Sequence, residues 1–347
     1  MTFQLMRFLP HEIPAHEIPA HEFPTLEFRT EEWATCRLHP SSTKRSKDVE
    51  TSAVVERTMK EQGWVRHLLE NIMKMLLTLG SVLVFIALAF SMDSQPAAKG
   101  RLMKLELRTQ VQPFHAGDSW AEVDVEQSFP TARTAIIITD MWDKHWCRGA
   151  TVRVGEIARK MEPLVEKARA SGILIIHAPS DTMSYYADTP GRRLAEEAPH
   201  FAPPQELTLP NPPLPIDDSD GGCDTPGDKE HRAWSRETPL LTIGPGDVVS
   251  DNGAEIYNVL RQHHISTVFF MGVHANMCIL TRTFGIRQLT RWGLRCVLVR
   301  DLTDAMYDSA SRPYVSHAAG TELVIEYIER YWAPTITSAQ MLAALSR

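Results

Sequence analysis

Thr267-Val-Phe-Phe-Met-Gly-Val-His-Ala-Asn-Met-Cys278-Ile-Leu280 is the stretch whose reading decides the fold. Val268 to Met271 is a short, unbroken apolar run, the mark of a strand buried on both faces of a parallel sheet. Gly272 interrupts it, small and polar residues follow, and a helical pattern is expected from about Asn276. Cys278 then lies on the first turn of a helix, at the carboxyl end of a buried strand. Ligands of open α/β sheets bind at this edge. The free N–H groups and dipole of a helix N-terminus lower a thiol's pKa. The competing expectation is a cysteine that serves only as a small core residue.

Working outward, the same alternation recurs. Thr134-Ala-Ile-Ile-Ile-Thr-Asp140 reads as a second buried strand, ending on a carboxylate. Ile157, Met161, Leu164, Val165 and Ala168 keep helical spacing, and Gly172 marks the stop. Ile173 to His177 is the next strand, so strand, helix and strand predict a right-handed βαβ unit in a parallel sheet. Asn252 and Glu255 form a capping-box pattern ahead of Ile256, Val259 and Leu260. Arg295 to Asp301 reads as another strand, with Cys296 in the core. A last long helix is expected over 322–332, and Ser338 is positioned to cap a short terminal one. Between them, residues 187–245 break the pattern, holding eleven of the chain's 23 prolines. A long irregular excursion at this edge suits a lid or pocket wall. Asp217 to Asp224 within it faintly resembles a calcium loop but lacks the closing glutamate, and a solvated turn is the preferred reading.

The folded part is expected within 96–347, beginning near residue 102. Residues 1–72 carry the proline-punctuated near-repeat His-Glu-Ile-Pro-Ala and no sustained hydrophobic period, which reads as a low-complexity leader. Within 73–95, the uncharged run from Met75 to Met92 has 18 residues, with a lysine before it and small residues near its end. That is the pattern of a signal peptide or short membrane anchor. We expect translation to begin at Met73 or Met75 and the product to be exported or anchored; otherwise it is cytoplasmic. A net charge of −7 argues against a nucleic-acid surface. The five cysteines contain no CxxC pair, against a zinc ribbon or thioredoxin-type site.

Asp140 and Cys278 end central strands, which lie about 4.8 Å apart when adjacent. A carboxylate beside a thiol is the pair that moves a proton during nucleophilic attack. Here the residues carry a resemblance. Asp140-Met-Trp-Asp143 resembles the opening motif of the isochorismatase-like cysteine hydrolases, and Gly272-Val-His-Ala-Asn-Met-Cys278 resembles their nucleophile turn. The likeness runs from about residue 130 to 332. It implies a doubly wound α/β fold, three layers deep, with a six-stranded, mainly parallel sheet. It further implies hydrolysis of a C–N bond in a small amide or ureide through a thioester on Cys278, with Asp140 as proton carrier. The backbone N–H of Cys278 and a neighbouring one would form the oxyanion hole. A cis peptide would fall between Val273 and His274.

Two departures stand out. The family's catalytic lysine has no counterpart in Asp247-Val-Val-Ser-Asp251, and Lys229, Lys144, Arg232 and Arg236 are the cations that could replace it. The metal-binding pattern of the nicotinamidases is also broken: His177-Ala-Pro-Ser-Asp181-Thr-Met183 lacks the middle ligand, and His200 alone does not complete a site. No metal and no other cofactor is expected. Trp142, His145, Trp146, Tyr185, Tyr186, His274 and Asn276 are candidates to line the substrate pocket, and their aromatic character suits a flat, amphipathic substrate. Expected partners are a small-molecule substrate and at most further copies of the chain, with a membrane met only through the N-terminal segment. Alternatives are a non-catalytic binding protein that has lost the lysine, or a hydrolase that does not use the thiol. If the protein is exported, Cys147 and Cys223 are placed to form a disulfide that ties the excursion to the pocket.

Overall fold

The computed structural model describes residues 101–114 and 119–347. The leader (1–72) and the apolar segment (73–95) lie outside the described residues. Among the described residues no helix is long and apolar enough to cross a membrane.

One sheet contains β1 (Leu102–Val111), β2 (Ala121–Pro130), β3 (Thr134–Thr139), β4 (Leu174–Ala178), β5 (Val248–Val249), β6 (Thr267–Val273), β7 (Arg295–Asp304) and β8 (Thr335–Ile336). Its order is β2-β1-β8-β7-β6-β3-β4-β5. From β8 to β5 the neighbours are all parallel. The sheet exceeds the six strands expected because β1 and β2 add an antiparallel hairpin at one edge. The sequence does carry its signal: Met103, Leu105 and Leu107 are buried and alternate with Lys104, Glu106 and Arg108.

The helices among the described residues are α1 (Arg148–Ala170), α2 (Met183–Tyr186), α3 (Pro190–Glu196), α4 (Gly253–Gln262), α5 (Cys278–Thr281), α6 (Ile286–Arg291), α7 (His317–Tyr331) and α8 (Ser338–Ser346). The strand period of two divides the core between the two sheet faces. Ile136, Ile138, Phe269, Met271, Val297 and Val299 pack with α1 and α8. Ala135, Ile137, Val268, Phe270 and Leu298 pack with α4, α6 and α7. Each fully buried aliphatic or aromatic side chain contributes roughly 1.5–3 kcal/mol. Apolar runs without alternation are what a doubly covered sheet requires.

Local signals come out unevenly. Asn252 caps α4 by accepting from the backbone N–H groups of Ala254 and Glu255. Glu255 does not reciprocate: its carboxylate is held by Arg192 and by the Ser250 hydroxyl. The terminal helix is capped by Thr337 rather than Ser338, in a capping box with Gln340. The helix expected from Asn276 is a single turn beginning at Cys278, and the chain breaks before α6. The excursion is irregular apart from α3. Its residues 235–238 lie back along 141–143: Trp142 bridges Glu237, Thr238 donates to Met141 O at 2.7 Å, and Asp143 donates to Arg236 O at 2.9 Å.

Candidate active site

The site forms where β3 and β6, paired in register from Thr134↔Thr267 to Thr139↔Gly272, reach their carboxyl ends. Gly272 has φ 113°, and a Cβ there would lie 2.1 Å from Thr139 O. Only glycine permits the two strands this close approach immediately before Asp140 and the turn to Cys278. Asp140 follows β3 with φ 49° and is wholly buried. One of its oxygens accepts the Ser180 N–H at 2.7 Å. The other accepts from Arg282, from Nε at 3.2 Å and Nη2 at 3.1 Å.

The Cys278 thiol and the Asp140 carboxyl lie beside one another, close enough that each shifts the other's ionisation. Sequence reasoning placed these two groups together correctly. The thiolate expected from a helix N-terminus is not what the surroundings favour, however. Burial, then the charge of Asp140, push the thiol well above its ordinary value, and one turn of helix does not offset them. Burial likewise raises Asp140, with Arg282 and the hydrogen bonds from Cys278 and Ser180 opposing. Both groups are pushed toward their protonated forms, and their titration belongs to the pair.

The Val273–His274 peptide is cis, where the resemblance put it. Around this turn Met277 N–H and Ile279 N–H both donate to His274 O, and Ala275 N–H donates to Asp304 O. Among the described residues the Cys278 N–H has no acceptor. It is available for an oxyanion, whereas the Ala275 N–H is already engaged by Asp304 O.

None of the four cations considered from the sequence reaches the pair. Lys144 and Lys229 are exposed, Arg232 donates to Asp181 O, and Arg236 donates to the Tyr185 hydroxyl. Arg282 pairs with Asp140 instead, and sequence reasoning missed it. The available signal was its spacing, four residues beyond Cys278, which puts both on one side of a helical turn.

The aromatic candidates gather as expected, with an addition. Trp142 stacks on Trp234 with centroids 4.1 Å apart, and His145 lies 5.9 Å from each. His145 continues the wall to Trp146 at 5.4 Å and His274 at 5.2 Å. Trp234 comes from the excursion and has no signal in sequence beyond its residue type. Both imidazoles are neutral: burial, reinforced by Arg153, pushes His145 down to about 4, and burial pushes His274 down to about 3. Trp234 Nε1 and His274 Nε2 are buried without a hydrogen-bond partner. Tyr185 is exposed and Tyr186 is buried beneath it, so the pair forms an outer rim. Asn276 is structural: its amide donates to Asp218 at 2.8 Å and Met306 O at 3.1 Å, and accepts from Met306 N at 2.8 Å.

The residues of the nicotinamidase metal pattern do not fit a metal here. His177 lies inside β4, its Nδ1 2.8 Å from Glu237 and its Nε2 3.2 Å from Asp247. Asp181 faces Arg282 at 3.8 Å, and His200 is exposed. The acids of the faint calcium pattern are likewise spent separately. Asp218 binds Asn276, Asp220 accepts from Ser311, and Asp224 pairs with Arg153. Cys147 and Cys223 form a disulfide with Cα atoms 5.7 Å apart. It ties the excursion to the start of α1, next to the Asp224–Arg153–Asp304 ion pairs.

No family model matches the chain, and no curated protein matches it. Among solved structures it is similar to a cysteine hydrolase from Pseudomonas syringae pv. phaseolicola 1448A, at 19% identity over 63% of this chain and 94% of that one, with a TM-score of 0.43. It is also similar to an isochorismatase family protein from Burkholderia thailandensis, at 17% identity over 62% and 97% of the two chains, TM-score 0.38. A third is N-carbamoylsarcosine amidase from Thermoplasma acidophilum, at 16% identity over 59% and 96%, TM-score 0.32.

Proposed function

We propose that the chain is a cysteine hydrolase that cleaves a C–N bond of a small amide or ureide through a thioester on Cys278. The observation that carries this is the buried Cys278–Asp140 pair at adjacent strand ends, each group shifting the other, beside a Cys278 N–H with no acceptor among the described residues. As sulfur attacks the carbonyl carbon, its proton passes to Asp140 and a C–S bond forms. The oxyanion develops against the Cys278 N–H. Asp140 then gives the proton to the leaving nitrogen as the C–N bond breaks. Water, deprotonated by Asp140, cleaves the thioester to release the acid and restore the thiol. The Trp142–Trp234–His145 wall supports a flat substrate, and two neutral imidazoles beside it favour an uncharged one.

The disulfide also supports maturation in an oxidising compartment, in keeping with export. N-terminal sequencing of the native protein tests this. Export predicts a terminus after about residue 87, or at Met73 or Met75 if an anchor is retained; peptides from residues 1–60 would contradict it.

The function is tested by screening the purified protein for ammonia release across simple amides, N-carbamoyl compounds and ureides. Activity on one of these that disappears in Cys278→Ser supports the assignment. Full activity in that variant would sink it.

A further inference from the structure

We propose that Arg282 is the catalytic cation of this site, holding the single negative charge that Asp140 and Cys278 exchange during the reaction. The inference rests on the mechanism above and deepens it by identifying what does a lysine's work in a chain that has none there.

The geometry is specific. Arg282 closes α5 one turn after the nucleophile, so the turn that positions the sulfur also positions the guanidinium. Nε and Nη2 approach one Asp140 oxygen at 3.2 and 3.1 Å, while the Ser180 N–H takes the other at 2.7 Å. Among the described residues no other cation is paired with Asp140. Asp181, 3.8 Å away on the solvent side, holds the guanidinium from a second direction. Arg282 remains about one-third exposed, whereas the Asp140 side chain is fully buried.

The charge balance explains the arrangement. An arginine stays protonated throughout the working pH range, and the Asp–Cys pair with one shared proton carries one negative charge. The three groups are neutral together. When the proton moves from sulfur to carboxylate, the negative charge moves from oxygen to sulfur, and Arg282 favours the ionised form of each. The transfer therefore creates no new unpaired charge in a buried site, where one would be costly. No proton comes from the guanidinium. Asp140 is then the only proton carrier between thiol and leaving nitrogen, whereas a lysine at this position could itself titrate.

The test uses the full chain, iodoacetamide as probe, and mass spectrometry to follow carbamidomethylation of Cys278 from pH 6 to 10. Wild type is expected to alkylate at Cys278 with a rate that climbs smoothly with pH. Arg282→Gln should slow alkylation at pH 8 at least tenfold, and Arg236→Gln should stay within twofold of wild type. Arg282→Lys should fall between wild type and Arg282→Gln, and should show an additional ionisation at about pH 9–11 that wild type lacks, because lysine titrates there. If Arg282→Gln does not fold, the added ionisation in Arg282→Lys decides, since a merely structural arginine would not produce it. Wild-type alkylation that is unchanged in Arg282→Gln overturns the role of Arg282 and leaves the Cys278–Asp140 mechanism standing. A wild-type Cys278 that never alkylates, while the folded protein releases no ammonia from any amide, overturns the mechanism itself.

Discussion

Two clusters of buried ionisable groups sit on neighbouring strands of this sheet, and they are finished differently. On β4, His177 is held between Glu237 and Asp247, and Asp247 also receives Arg169 and the Gly244 N–H at 2.6–3.0 Å. Burial works against the imidazolium, but the two carboxylates outweigh it and hold His177 up to about 9. Just beyond the end of β3, Asp140 and Cys278 are pushed toward their neutral forms, and a backbone N–H beside them is left without an acceptor. The first cluster favours its charged state and ties down the excursion through Glu237. The second is pushed away from its charged states and leaves a backbone donor without a partner among the described residues. Burial and charge alone do not mark function. A nucleophile, a frustrated pair and a free donor together do.

The largest effect should come from the second cluster. Cys278→Ser and Asp140→Asn should each lower turnover by at least about 10²-fold, measured on whichever amide the screen identifies. The double variant should be little worse than the worse single one, because the residues act as a unit. Asp140→Asn should also melt no lower than wild type. A carboxyl whose folded pKa is raised is costly to keep ionised above that value, and asparagine removes this cost.

His177→Gln should show the reverse pattern, melting lower by roughly 3–5 kcal/mol as expected for breaking a buried ion pair. Its activity per folded molecule should be largely kept. Because His177 is raised, its stabilisation is fully present below the unfolded value of about 6.5 and is lost as pH rises through about 9. Chemical denaturation at pH 6.5 and 9.5 should therefore show a loss in wild type that is absent in His177→Gln. Equal losses in both would place the pH dependence elsewhere.

Removing the covalent tie comes next. Cys147→Ser with Cys223→Ser should lower stability by roughly 2–4 kcal/mol. A melting curve unchanged by dithiothreitol would show that the ion pairs of Asp224 and Glu237 hold the excursion unaided. The smallest effect is expected from Trp234→Ala. Losing one aromatic contact of about 0.5–1.5 kcal/mol should raise KM by about three- to tenfold and change kcat less.

Much was determined by the sequence by itself. Apolar runs such as Thr134–Thr139 and Thr267–Val273 declare strands buried on both faces, because only a doubly covered sheet needs no polar alternation. The residue ending each strand, Asp140 or the turn to Cys278, is then assigned to the ligand-binding edge, with Gly272 as the break after the second strand. Cys147 and Cys223 were also legible as partners, since both belong to loops at that edge. The β1–β2 hairpin went unread, although β1 carries a period-two signal in Met103, Leu105 and Leu107.

Only the tertiary structure decided the rest. Arg282, rather than Lys144, Lys229, Arg232 or Arg236, meets Asp140 because a turn that ends after four residues leaves the guanidinium over the carboxyl. Trp234 enters the aromatic wall, and Asn276 leaves it, because the excursion folds back over residues 141–143 and 276. His177 changed from a possible ligand to the centre of an ion network for the same reason. Burial, rather than helix polarity, is the strongest pull on the ionisation of the pair. Periodicity reports which face of an element is covered. Which side chains meet across sixty irregular residues depends on contacts that have no period to read.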